Sequence, residues 1–314
     1  MTYLSKLATG LAAVTLILAT ACSTTQPAAP ATSAPSTSGD PAAAAIPQHS
    51  KDQTLYDQLP ANVKQAGKLV SVDSGAFPPY EIPMGDGKTL QGATADLATA
   101  LGQILGISIE NASVDSLAGE LSGIQAGRYD LALGPVGDFT DREQGHDFID
   151  WVQEFVVFAV PQGNPKNINS LDDTCGLNIA VQSGGSAEKV IKQQSGTCTS
   201  AGKAAVNVQS YQDQPTSILS VQSGRADAFF SSQSPLSYFV QQSNGKLQLA
   251  ATGQKNGFDN LFQGAVLPAN SPLRQPILTA MQQLFADGTY KAIMDKWGLQ
   301  GNMIDKPGVN LAAG

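Results

Sequence analysis

Two hydrophobic periods take turns along this chain. Short runs rich in Val, Ile, Leu, Phe and Ala occur at residues 68–72, 107–110, 129–133, 155–160, 177–181, 228–230 and 262–267. Runs of this length and make-up read as buried strands. Helical spacing lies between them. Leu97, Leu101, Ile104 and Leu105 form one apolar stripe, and Leu117, Leu121 and Ile124 form another. Further helices are expected at 187–194, around Leu236, Phe239 and Val240, and at 273–285, while Tyr290, Ile293 and Trp297 share one face at i, i+3 and i+7. Thr94 is a fair N-cap and Gly106 and Gly127 are placed to end helices. Strands alternating with helices predict an α/β protein. The stripes themselves are core.

The first residues follow neither period. Lys6 gives a thin positive region and residues 7–21 are uncharged, too short for a comfortable membrane span and suited to a signal segment at 1–21. It ends Ala19-Thr20-Ala21-Cys22, which resembles a bacterial lipobox, with lipidation at Cys22. Simple secretion is the alternative. Residues 22–50 then read as a lipidated Cys22 and an extended, disordered Ala/Pro/Ser/Thr tether with too little apolar surface to order it.

Composition narrows the remainder. The 314 residues carry a net charge of -8 and a pI of about 4.7, which argues against nucleic acid and against an electrostatic membrane patch. Only 14% of residues are charged, yet 42% are hydrophobic, enough for real cores. His49 and His146 are the two histidines and neither lies near a cysteine in sequence, so no metal site and no cofactor is expected. Cys175 and Cys198 are expected to form a disulfide in an exported chain. A catalytic thiol would need a basic partner that is not visible.

Candidate ligand chemistry centres on residues 127–150, GRYDLALGPVGDFTDREQGHDFID. A strand ends here in a bare loop, where Gly134, Pro135 and Gly137 let backbone amides approach a ligand. Arg142 follows, a planar fork suited to a carboxylate; a solvated surface charge is the plain alternative. Ser183, Gly184, Gly185 and Ser186 form a second Gly-rich turn at a helix N-terminus, where outward amides favour an anion. Phe77 sits just past a strand end, where open α/β sheets bind ligands; packing is its alternative.

Several of these strings resemble the family 3 extracellular solute-binding proteins of ABC importers, the amino-acid-binding type. Gly127, Arg128, Tyr129, Asp130 and Leu131 match that family's G-K/R-Y-D-L, and Arg142 stands six residues before Phe148 as the family arginine does. Phe77-Pro78-Pro79-Tyr80-Glu81 matches its aromatic-Pro-Pro-aromatic-Glu run, and residues 181–186 (VQSGGS) its V-Q-x-G-T-T. The string at 286–297, ADGTYKAIMDKW, is the most specific match, and the resemblance spans roughly residues 66–298.

The resemblance implies a two-lobed, type II periplasmic-binding-protein-like fold, each lobe a mixed sheet flanked by helices with a ligand cleft between them. Lobe 1 would comprise 51–160 and 258–314, and lobe 2 161–257. The pairs IQAGRYD at 124–130 and VQSGRAD at 221–227 fit two lobes built on one plan. It also implies that Arg142 holds the ligand's carboxylate, that Phe77 and Tyr80 wall the pocket, that the loop residues Gly134, Pro135 and Gly137 approach the ligand through their backbone, and that Ser183, Gly185 and Ser186 close from lobe 2. In the family an Asp before a Ser-Pro binds the ligand's ammonium. That position is Gln233 here, so either Asp73, Glu81 or Glu120 substitutes or the ligand lacks a simple α-ammonium.

The expected function is therefore that of an extracytoplasmic substrate-binding lipoprotein. It would be a monomer, anchored by lipid to the outer face of the cell membrane, capturing a small carboxylate-bearing solute and delivering it to an ABC permease. A polar amino acid or derivative is the expected solute. Two alternatives remain: a sensory or partner-binding module, and a dehydratase-like enzyme using Glu120 or Glu81 as its acid.

Overall fold

A computed structural model describes residues 46–86 and 89–312. The expected signal segment, the lipidation expected at Cys22 and the expected tether as far as residue 45 lie outside these residues.

The packed chain begins earlier, at residues 46–50, than the tether expected from sequence allows. Ile46 lies against the core, the His49 amide donates to Gln103 Oε1 at 2.9 Å, and the His49 ring meets the Thr289 hydroxyl. Helices α1 (Gln53–Gln58) and α2 (Ala61–Ala66) lead to strand β1 (Lys68–Asp73). A small hairpin, β2 (Ile82–Pro83) with β3 (Leu90–Gln91), feeds α3 (Ala93–Leu105). The cap of α3 is Gly92, not Thr94. Its φ is 121° and a Cβ there would lie 2.0 Å from the Tyr80 carbonyl oxygen, so only glycine fits. Thr94 instead donates its hydroxyl to the Gly134 carbonyl. Then come β4 (Ser108–Ser113), α4 (Leu117–Gln125), β5 (Ala132–Gly137) and β6 (His146–Glu154).

Residues 134–137, expected as a bare loop, instead continue strand β5. Strands rarely hold proline because it cannot donate to the ladder. Here the pairing partner shifts register between Gly264 and Val266, and Pro135 stands in that irregularity.

Past Phe155 the chain enters a second sheet. β7 (Val156–Pro161), β8 (Asn178–Gln182), α5 (Ser186–Ser200), β9 (Asn207–Tyr211), α6 (Gln214–Gln222), β10 (Ala228–Ser232), α7 (Gln233–Gln242) and β11 (Leu247–Ala250) build it, in strand order β11-β7-β10-β8-β9. β7 lies inside this sheet, although the sequence reading gives residues up to 160 to the first lobe. The unbroken apolar run at 155–160 has a simple cause. Val156, Phe158 and Val160 pack into one core and Val157 and Ala159 into another, so both faces of the strand are buried.

β12 (Leu261–Pro268) returns to the first lobe, followed by α8 (Arg274–Ala286), α9 (Thr289–Lys296) and β13 (Met303–Val309). These complete a sheet of order β13-β6-β12-β5. β1 and β4 pair in parallel beside it, joined to the start of β5 through Ser71 and Leu131. Leu97, Leu101 and Ile104 of α3 pack with Trp151, Ile277, Met281, Tyr290 and Ile293 on one face. Leu117, Ile124, Phe148 and Val266 pack on the other. The two lobes are thus α/β layers joined by two crossings, at Phe155 and before Leu261.

The sequence echo has a structural counterpart. Asp130 accepts the Val70 amide at 2.7 Å, and Asp227 accepts the Asn178 amide at 2.8 Å. Each carboxylate follows a helix and a left-handed glycine, Gly127 or Gly224, and ties the chain to a strand of its own lobe, β1 or β8. The expected disulfide is present: Cys175 and Cys198 are bonded, with Cα atoms 5.6 Å apart.

Candidate functional site

The lobes face one another across a cleft. From the first lobe it is lined by the turn after β1, where Phe77 sits, by Glu81, by the start of α4 with Leu117 and Glu120, and by Pro135, Gly137 and Arg142. From the second come Gln182, Gly185 and Ser186 at the head of α5, Gln214 at the head of α6, and Ser231 and Ser232 at the end of β10. Gln263 of β12 also reaches it. Strand ends and helix starts converge here, as expected for ligand sites of open α/β sheets.

Arg142 spans the two lobes. Its Nη1 donates to the Gly137 carbonyl at 2.7 Å and its Nη2 to the Gly184 carbonyl at 2.9 Å, while its guanidinium lies 5.0 Å from the Phe139 ring centre. Two of its five N–H donors are thereby used.

Two acidic groups of the same lobe share the cleft with Arg142. Glu120 is 2% exposed and Glu81 6%. Burial pushes the Glu120 carboxyl up to about 8, helped by the Asp73 charge and opposed by a Ser74 hydrogen bond and by Arg142. Burial, then the charges of Glu120 and Asp73, push Glu81 well above the usual carboxylate range. Asp73 itself is committed to structure, accepting from the Gly75 amide (2.8 Å), Asn111 Nδ2 (2.6 Å) and the Ser113 hydroxyl (2.7 Å).

The second lobe supplies neutral groups. Ser231 donates to Gln214 Oε1 at 3.0 Å and Gln214 Nε2 to Gln182 Oε1 at 2.8 Å. Gln263 Nε2 reaches the Ser232 hydroxyl at 3.3 Å, while Gln263 Oε1 is buried without a partner. Such an orphan acceptor calls for a donor.

Six of the residues expected from sequence meet in this cleft: Phe77, Pro135, Gly137, Arg142, Gly185 and Ser186. Four do not. Tyr80 is fully buried beneath the cleft, its ring edge-on to Trp151. Gly134 packs on β12, where an added Cβ would lie 2.5 Å from the Gly264 carbonyl oxygen. The Ser183 side chain is exposed and its amide is spent on the Tyr211 carbonyl, so the turn is less of an anion nest than its glycines imply. The Gly184 and Gly185 amides are likewise held, by Glu188 Oε2 and by the Gln182 carbonyl.

Gln233 is the fourth. β10 runs through Ser232 and α7 starts at Gln233, so the strand-end positions facing the cleft belong to Ser231 and Ser232. The Ser234-Pro235 spacing points to Gln233, one residue past the lining, while the end of β10 places Ser231 and Ser232 on it. Gln214 and Gln263 were not anticipated. The first follows a strand and opens a helix, and the second is a lone amide in an apolar strand; both are readable signals.

A model of the bacterial extracellular solute-binding proteins, family 3, matches residues 69–300. The chain belongs to that family. Its relatives include the arginine-binding protein ArgT of Corynebacterium glutamicum, 27% identical over 258 residues and 82% of each chain. The L-cystine-binding protein TcyJ of Escherichia coli is 27% identical over 239 residues, covering 75% of this chain and 84% of that one. Among solved structures, an ancestral arginine-binding protein bound to arginine aligns with a TM-score of 0.65 at 27% identity, over 74% of this chain and 98% of that one. The arginine-, lysine-, histidine-binding protein ArtJ of Geobacillus stearothermophilus aligns with a TM-score of 0.66 at 22% identity, over 76% and 96%. The fold of this family 3 member is accordingly the type II, two-lobed one.

Proposed function

We infer that this protein is the substrate-binding component of an ABC importer and that its solute is an amino acid held by its carboxylate. The observation that carries this reading is Arg142, a first-lobe guanidinium that already touches the second lobe at the Gly184 carbonyl. Its remaining donors suit a carboxylate bidentately. Phe77 offers an apolar wall, and the head of α5, whose N-cap Gly185 uses no side-chain cap, offers the Ser186 end of a helix dipole.

Capture then proceeds by hinge closure. The first lobe takes the carboxylate at Arg142, and bending at the two crossings brings Ser186, Gln214 and Ser231 onto the ligand. The closed form is what a membrane permease receives. An exported chain with a lipid on Cys22 and a tether ahead of Ile46 would work at the outer face of the cell membrane, as a monomer. Replacing Cys22 by Ala should release the protein into the medium; retention on the membrane fraction would reject the lipid anchor.

The central test is a thermal-shift screen pairing amino acids with their des-amino carboxylates. A ligand at a hundred times its dissociation constant adds about 2.7 kcal/mol to stability. Amino acids should shift the transition and inert polar solutes should not. A protein that responds to no amino acid would overturn this reading and favour a sensory or partner-binding module. The buried, protonated Glu120 beside Arg142 favours one second reading, a dehydratase-type acid, which requires turnover of a cyclohexadienyl carboxylate and its loss in Glu120→Gln.

A further inference from the structure

We propose that the cleft selects amino acids whose side chain carries a positive charge, with Glu120 receiving the α-ammonium and Glu81 the side-chain cation. This rests on the amino-acid reading above and goes beyond it in naming the class.

The cleft's charges lead to it. Arg142 is the single cationic residue among those lining the cleft, and Glu81 and Glu120 are the two anionic ones. Both acids come from the first lobe. The lining residues of the second lobe, Gln182, Ser186, Gln214, Ser231 and Ser232 among them, carry no charge. A buried charge is tolerated only when paired. A ligand with one carboxylate and two cations neutralises the set. An acidic amino acid would bring a second carboxylate to a cleft with one guanidinium. A dicarboxylic diamine would also exceed it by one anion, and a neutral amino acid would pair with only one of the two acids, the other keeping its proton.

The order of the groups follows from connectivity. In an α-amino acid the ammonium and the carboxylate sit on neighbouring carbons, so the acid closer to Arg142 takes the ammonium. The His146 ring contacts both the Arg142 carbonyl (3.3 Å) and the carbonyl of Leu121 (3.1 Å), the residue after Glu120, so α4 is tied to Arg142. Of the two cleft acids, Glu120 is the one whose charge acts on Arg142. Glu81 follows the Phe77 wall and lines the same cleft, which leaves it for the far end of the ligand. Gln263 Oε1, buried and without a partner, adds an acceptor for a further N–H. Asp73 stays out of direct contact because its oxygens are already bonded to three donors.

The test compares L-arginine with L-citrulline, its uncharged isostere, and L-lysine with L-norleucine, by calorimetry on the intact protein. The charged member of each pair should bind about ten-fold or more tightly, the lower end for a desolvated charge pair. Glu81→Gln should erase that preference while still binding both members. Glu120→Gln should weaken all four ligands. Citrulline binding as tightly as arginine, with norleucine matching lysine, overturns the proposal without variants and leaves the amino-acid reading standing. Loss of the preference in Glu120→Gln but not in Glu81→Gln overturns the assignment of the two acids. Failure of every amino acid to bind overturns the functional reading itself.

Discussion

The Tyr80 hydroxyl donates to Glu154 Oε1 at 2.7 Å, linking the hairpin region of the first lobe to the last residue of β6, one step before the chain crosses. The other oxygen of Glu154 faces the Ser234 amide at 3.5 Å, at the start of α7 in the second lobe. Ser234 also meets Asn302 Oδ1 at 3.1 Å. Tyr80 therefore packs and bonds at the foot of the crossing between lobes, outside the cleft lining where its motif implies a pocket wall. Tyr80→Phe should leave a buried carboxyl short of a donor and cost about 1–3 kcal/mol. Urea unfolding measures this. The order of ligand preference should not move; a changed order with unchanged stability would place Tyr80 back in the pocket.

Arg142→Ala should reduce affinity for any carboxylate ligand by about 100-fold or more, the scale for removing one member of a buried charge pair. Calorimetry on the variant checks this directly. The apo protein should melt near the wild-type temperature, since the two hydrogen bonds lost are to backbone carbonyls at the edge of the cleft. Affinity retained in the variant would show that the guanidinium only bridges the lobes.

Where the sequence could be read, one local rule sufficed. Leu97, Leu101, Ile104 and Leu105 are all buried, as their spacing implied, and α4 spans Leu117–Gln125 as expected. Asp130 and Asp227 repeat one contact in both lobes because the same heptapeptide plan recurs. The failures needed information from distant residues. Pro135 reads as loop unless one knows that β12 shifts register against it. Residues 46–50 look like tether, but His49 and Gln48 find Gln103 on α3. β13 has a weak pattern, yet Asp138 and Asp150 hold the segment after it by accepting the Ala312 and Leu311 amides. At the site, six motif residues line the cleft, whereas Ser231 and Ser232, placed by a strand end, and Gln214, placed by a helix start, carry no motif.

Reduction of Cys175–Cys198 should lower stability by about 3 kcal/mol in the chain-entropy account, given a sequence separation of 23. The bridge ties the turn before β8 to α5, whose other end lines the cleft. Denaturant midpoints with and without reductant test it. Equal midpoints would mean that packing around Cys198, which is 1% exposed, already fixes the helix.

Arginine affinity should rise with pH. In the empty cleft Glu120 holds its proton up to about 8, and a cation bound there needs the anion, so binding below that pH releases a proton. Affinity should climb from about pH 5 and level off past the Glu120 value. Calorimetry in buffers of different ionisation enthalpy would show the released proton. An affinity independent of pH over this range would mean that Glu120 does not face the ligand's charge.

The same groups set the stability of the empty protein, with the opposite trend. Glu120 and Asp138 are pushed up to about 8, Glu154 to about 7 and Asp150 to about 6, in each case first by burial. The charge and hydrogen bond of Asp150 raise Asp138 further, whereas the hydrogen bond with Asp138 lowers Asp150. In the unfolded chain such groups titrate near 4. Between those values the folded state holds protons that the unfolded state has lost. Stability from these carboxyls is therefore complete below about pH 4 and declines as pH rises toward 8. Asp52, Asp173 and Glu188 are shifted the other way, so their contribution is lost as pH falls below the ordinary carboxylate range. The two trends place the maximum for the unliganded protein near pH 5. Urea midpoints measured across the range should fall from there to pH 8, and saturating cationic ligand should remove most of the share due to Glu120. A midpoint that rises toward pH 8 without ligand would show that these carboxyls are solvated in the folded protein, and that the cleft is wetter than its geometry implies.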